Sequence, residues 1–120
     1  MKDSLIAGVT GTQTYTVTED MKPGHLPVAV LSTPSMVQLI EMTCLATAQA
    51  HLDDGEVTVG THVCVSHQGA AMAGQEITVD CRLAGVEKRR LNFEVRVEAP
   101  GGVISEGTHQ RAVVDASRFG

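Results

Sequence analysis

Apolar positions follow two different rhythms along this chain. From Thr33 to Leu52, TPSMVQLIEMTCLATAQAHL, residues Met36, Val37, Leu39, Ile40, Cys44, Leu45, Ala46, Ala48 and Ala50 cover almost the whole circumference of a helix. Thr33 is suited to cap the first turn, Pro34 fits the first helical position, and Gly55 lies past the far end. The pattern predicts one long, buried helix. A single carboxylate, Glu41, interrupts it, with Val37, Cys44 and Leu45 one turn away. A charge in such surroundings needs a partner or a chemical task.

Elsewhere the rhythm has period two. TGTQTYTVT, from Thr10 to Thr18, reads as a β-branched edge strand, and Glu19 to Leu31, with Pro23, Gly24 and Pro27, reads as a loop leading to the helix. In VTVGTHVCVSH, strict alternation puts Val57, Val59, Val63, Val65 and His67 on one face and Thr58, Gly60, His62, Cys64 and Ser66 on the other. After a connection from Gly69 to Gly74 come EITVDCRLAGV and LNFEVRVEA, whose charged positions alternate with Ile77, Val79, Cys81, Leu83 and with Leu91, Phe93, Val95, Val97. A turn at Pro100-Gly101-Gly102 leads to VISEGTHQRAVVD, and no internal repeat is present.

About five strands with short connections imply an antiparallel sheet with one wet and one apolar face. The helix is the one element able to cover the apolar face. The expectation is a single α+β domain over residues 1–120, a sheet wrapped round one buried helix in the hot-dog arrangement. A cystatin-like sheet-and-helix domain fits the bare pattern nearly as well. Open sheet edges in so small a domain point to a homodimer or a dimer of dimers.

Composition narrows the function classes. Two Phe, one Tyr and no Trp remove the stacking platforms of single-strand binders, and 9 Lys+Arg in a chain of net charge −5 speak against nucleic acid as a partner. Cys44, Cys64 and Cys81 are an odd number without a CxxC spacing and read as small buried hydrophobes in a reducing compartment. No stretch approaches membrane-spanning length, and the opening MKDSLIAGVTG has too short an apolar run for a signal peptide. A soluble, cytoplasmic protein is expected.

Several residues carry chemistry worth testing. Glu41 is a candidate base, or the orienter of a histidine. Thr33, at a helix N-terminus, places a hydroxyl among unsatisfied N–H groups where an oxyanion would be welcome. His67 starts from the helix-facing side of its strand. Gly60 marks either a bulge or a close approach of ligand to backbone. Lys88, Arg89 and Arg90 form the densest positive cluster, at a hairpin tip, with Arg111 a further candidate for phosphate contact. His62, Cys64 and His67 lie on opposite faces without short-spaced ligand pairs, so no metal site is expected.

With Thr33, Glu41, Gly60 and His67 in place, the segments MVQLIEMTCLATA, LDDGEVTVGTHVCVSHQGAA, VEKRRLNFEV and GTHQRAVVDASRF resemble the fluoroacetyl-CoA thioesterase family of the hot-dog superfamily from Thr33 to Phe119. The resemblance implies hydrolysis of a small acyl-CoA thioester, with Thr33, Glu41 and His67 as the catalytic group. It also implies that Gly60 lines the thioester site, and that no cofactor is needed beyond the coenzyme A of the substrate. It departs upstream, where MKPGHLPVAVLS, from Met21 to Ser32, has no Phe to match the family's aromatic lid. A hot-dog hydratase or dehydratase and a non-catalytic acyl-CoA-binding module are the alternatives.

Overall fold

A five-stranded antiparallel sheet curls round one helix in the computed structural model, which describes residues 1–119. Strand β1 (Thr10–Thr16) is followed by a 3-10 turn at Glu19–Met21, helix α1 (Thr33–Gln49), and strands β2 (Glu56–Val65), β3 (Glu76–Glu87), β4 (Arg90–Ala99) and β5 (Gly102–Asp115). The spatial order is β1-β3-β4-β5-β2, so β1 and β2 are the edges. Alternation holds along β4 and along β3 as far as Leu83, where the pairing of the two strands shifts register before Gly85. Ile77, Val79, Cys81, Leu83, Leu91, Phe93, Val95 and Val97 are buried under the helix, while Arg82, Glu94, Arg96 and Glu98 face outward.

The helix meets this surface with Met36, Leu39, Ile40, Thr43, Cys44 and Ala48. Each large apolar side chain so buried contributes roughly 1.5–3 kcal/mol relative to exposure, which makes this seam the main source of stability. Contact with β1 is equally close. A Cβ on Gly11 would fall 1.8 Å from Thr47 Oγ1, so glycine there lets the helix settle onto the edge strand. Thr43 Oγ1 and Tyr15 Oη are 3.0 Å apart, and Thr47 Oγ1 lies 3.3 Å from Cys81 Sγ. Cys44 and Cys81 are core residues, as expected, but Cys64 is exposed on the edge strand β2.

Three features differ from the sequence pattern. The helix stops at Gln49 and its N-cap is Ser32, whose Oγ accepts from Ser35 N at 3.3 Å; Thr33 is thereby freed from capping. The helix is also open on one side, where Met42 is 47% and Leu45 41% exposed, because the sheet covers only one face. Finally, the pairing of β2 with β5 shifts register between Gly60 and His62. This bulge reverses the parity of the strand. Thr58 and Gly60 face inward before it, and Val65 and His67 do so after it, so strict alternation misplaced the first half of β2.

Candidate active site

The Ser32 cap leaves Thr33 at the first helical position with its hydroxyl pointing away from the helix ladder. His67 lies two residues past the end of β2, between two backbone bonds to β5, Ser66 N to Glu106 O at 2.9 Å and Gln68 N to Ile104 O at 2.8 Å. Clamped in this way, its Nδ1 lies 2.7 Å from Thr33 Oγ1. In the tautomer with its proton on Nε2, Nδ1 accepts the threonine proton, the geometry of a hydroxyl nucleophile and its base. Both side chains open into a cleft of about 540 Å³ roofed by Pro23, His25, Leu26 and Val30 of the preceding loop. The loop thus covers the site, and His25 was not singled out from the sequence. Of the first-turn amides, Ser35 N donates to Ser32 Oγ, Met36 N to Ser32 O, and Pro34 has no proton; Thr33 N–H has no backbone acceptor among the described residues.

Glu41 belongs to a second cluster. Its carboxylate is 40% exposed rather than sealed in the core, and its Oε2 lies 3.4 Å from Nη1 of Arg111, itself only 4% exposed. Arg111 donates further from Nε to Thr58 Oγ1 at 2.7 Å and from Nη2 to Thr58 O at 3.0 Å, and Nη1 stands 3.1 Å from His109 Nε2. Burial lowers the proton affinity of both Arg111 and His109, and the Glu41 carboxylate acts against this at each. Gly60 completes the cluster: a Cβ there would lie 2.5 Å from Glu41 Oε2. The glycine therefore serves the carboxylate directly.

Thr33 and His67 meet, as do Glu41 and Gly60, but the two pairs do not meet within the chain. Eight residues separate Thr33 from Glu41 along α1, about 12 Å of helical rise. Arg111 is corrected from the phosphate-binding set: its guanidinium is 4% exposed and spent on Thr58, His109 and Glu41. Arg89 is also tied down, with Nη2 2.9 Å from Glu56 Oε2 and Nε 2.9 Å from Val113 O. Lys88 and Arg90 remain exposed beside it at the hairpin tip. That tip adjoins the start of β2, where Gln49 of the helix C-terminus bonds Glu56 O, so it lies at the opposite end of α1 from Thr33. Thr58 and His109 were not read as functional; the i, i+2 spacing of His109 and Arg111 on one strand face was the available signal.

A larger open saddle, about 790 Å³, lies on the outer face of the sheet between Thr10, Asp80, Arg82, Glu94 and Arg96. Its Arg82 and Glu94 neutralise one another, and it offers no nucleophile with a base. The cleft at Thr33 is the chemically equipped one.

A curled antiparallel sheet round a single helix is the architecture of hot-dog thioesterases. A Thermus thermophilus protein described as a thioesterase superfamily member superposes with a TM-score of 0.85 at 21% identity, covering 94% of this chain and 86% of its own, which shows the fold. More specifically, residues 9–117 match the family described as fluoroacetyl-CoA-specific thioesterase, FlK, and the chain belongs to that family. The fluoroacetyl-CoA thioesterase of Streptantibioticus cattleyicolor is 36% identical over 130 residues, 99% of this chain and 92% of its own. A solved structure of the fluoroacetyl-CoA thioesterase FlK superposes with a TM-score of 0.92 at 31% identity, covering 98% of this chain and 93% of its own. The resemblance read from Thr33 onward thus extends across β1.

Proposed function

We propose that this chain hydrolyses small acyl-CoA thioesters in the cleft at the N-terminus of α1. The observation that carries this reading is the 2.7 Å contact between Thr33 Oγ1 and His67 Nδ1 at the mouth of a covered cleft. The thioester carbonyl lies over the helix N-terminus. Thr33 Oγ1 attacks its carbon as His67 takes the hydroxyl proton, and the oxyanion is stabilised by the Thr33 N–H and the positive end of the helix. Collapse breaks the C–S bond, CoA leaves as the thiol with the proton from His67, and the acyl group stays as an ester on Thr33. Water, deprotonated by His67 or by a carboxylate, then releases the acid and restores the hydroxyl.

Glu41 enters this scheme through a second copy of the chain. Edge strand β2 has an unpaired side, and Val63, Met42 and Leu45 are exposed apolar groups nearby. A two-fold axis near Val63 would pair β2 with its copy and reverse the second helix. The partner's Glu41, which lies level with Gly60, would then come level with His67. The same operation brings the partner's hairpin tip beyond His67, where Lys88 and Arg90 meet the phosphates of a CoA whose thioester sits at Thr33. A (de)hydratase would need its acid–base pair along the acyl chain, whereas the contacting pair here lies at the helix N-terminus, where a carbonyl is polarised.

The reading is tested by rapid quenching with a radiolabelled acyl-CoA followed by mass spectrometry. A labelled acyl group on Thr33, absent in His67→Ala, is expected. Rapid CoA release with no label on any residue at the earliest times would replace the acyl-enzyme with direct attack by water. No CoA release from any short acyl-CoA would remove the hydrolase reading.

A further inference from the structure

We infer that His109 is a positioning residue for Glu41, acting through Arg111; this rests on the proposed thioesterase site. His109 is fully buried in β5, opposite Val63. Its Nδ1 lies 2.8 Å from the His62 carbonyl, which can only accept, so Nδ1 carries the proton. Nε2 is then a lone pair, and it faces a donor, Nη1 of Arg111, at 3.1 Å. The ring is thus fixed as one neutral tautomer from both ends. Burial disfavours a second proton; the His62 carbonyl opposes that effect, and the Arg111 cation adds to it.

Arg111 is oriented by acceptors on three sides, Thr58 Oγ1, Thr58 O and His109 Nε2, and the remaining direction of Nη1 points at Glu41 Oε2, 3.4 Å away. The guanidinium is planar, so fixing Nε, Nη2 and one side of Nη1 fixes the fourth direction as well. Thr58 and the His62 carbonyl stand on either side of the β2 bulge. His109 grips the far side directly and the near side through Arg111. A Cβ on Gly60 would lie 3.4 Å from both His109 Cε1 and Arg111 Nη1, so the three side chains converge on the space that the glycine leaves open. Glu41, at the exposed end of this chain of contacts, is held by Arg111 and by no other charged group among the described residues. Without the lone pair on His109, Nη1 would be free to tilt, and the carboxylate would lose its fixed position.

The two amide replacements separate positioning from packing. His109→Gln carries an acceptor out to the place of Nε2, whereas His109→Asn keeps the donor near Nδ1 for the His62 carbonyl but falls short of Arg111. For a short acyl-CoA, His109→Gln should keep kcat within about threefold of wild type, while His109→Asn lowers kcat about tenfold or more with KM within about twofold. In a Glu41→Gln background, His109→Asn should add less than about a twofold further loss, because the group it positions is already gone. Equal kcat values for the Asn and Gln variants, or losses that multiply with Glu41→Gln, would overturn the inference and leave His109 as packing. Should His109→Asn fail to fold, Thr58→Val, which removes Arg111's acceptor from the other side, takes its place with the same expectation; wild-type kcat there would overturn it too. Full activity of Glu41→Gln alone would instead show that the assignment of Glu41 is wrong, and the inference would fall with it.

Discussion

Gly60 and Glu41 compete for one space: a Cβ on residue 60 would lie 2.5 Å from Glu41 Oε2. The atom in the way is the end of a flexible side chain that is 40% exposed, so it can swing out at little cost to the fold. Gly60→Ala should therefore leave the thermal midpoint nearly unchanged while lowering kcat by about tenfold or more, through loss of a placed carboxylate. Steady-state kinetics beside a melting curve checks this; wild-type turnover would detach Gly60 from function.

A site shared between two copies makes a further demand. Thr33→Ala and Glu41→Gln, each inactive alone, should recover activity when unfolded and refolded together. Random pairing makes about half of the dimers mixed, and each mixed dimer holds one intact site, so roughly a quarter of wild-type activity is expected. No recovery, with mixed dimers shown by mass spectrometry, would mean that each site lies within one chain.

The hairpin tip divides into two roles. Lys88→Glu and Arg90→Glu should raise KM for acyl-CoA about threefold or more with kcat little changed, and added salt should shrink the difference. Arg89→Glu should also lower the melting temperature, because Arg89 bonds Glu56 and Val113. Unaltered KM in the Lys88 and Arg90 variants would leave the tip with no part in binding.

Acid should destabilise the domain through His109. The unfolded imidazole takes up a proton near pH 6.5, but the buried folded one does so only at lower pH, so below about 6.5 the unfolded state binds more protons. Its stabilising contribution is therefore complete well above that pH and is lost as pH falls. Urea midpoints at pH 7.5 and 5 should differ more for wild type than for His109→Gln. An identical shift in both would show that other groups carry the acid response.

The cleft roof sets the last expectation. Pro23, His25, Leu26, Val30 and Leu31 line it, without a Phe, Tyr or Trp, and a hydrophobic pocket gains only about 1–3 kcal/mol per methylene-sized difference. Several short or medium acyl-CoAs should be hydrolysed. The kcat/KM ratio of fluoroacetyl-CoA to acetyl-CoA should stay below about a thousandfold, and a larger ratio would show selectivity without an aromatic lid.

Much of this was legible in the residues. All five strands and the helix follow from periodicity, because β4 and β3 as far as Leu83 alternate over a single buried face and α1 is bounded by local signals. Thr33, Glu41 and His67 stood out by chemistry and by resemblance. The bulge was not legible as a change of parity, since Gly60 marked its place but not its effect on Thr58. Arg111 looked like a surface cation because its partners lie far off in the chain, Thr58 in β2 and Glu41 in α1. The open side of the helix was hidden for a related reason: an all-apolar pattern states that a surface is to be covered and does not say by which molecule.

The bulge also limits where the chain can gain or lose residues. Deleting Thr61, the extra residue, would flatten the ladder and leave every side chain from His62 to His67 on its own face, whereas deleting Cys64 from the paired stretch would turn Val65, Ser66 and His67 to the opposite face even if the strand re-formed its ladder with β5. The Cys64 deletion variant would keep its backbone ladder to β5, yet its imidazole would point away from Thr33. Length changes compatible with this geometry therefore belong in the loop before Ser32, in the connection after Gly69 or at the bulge itself, and none belongs between His62 and His67.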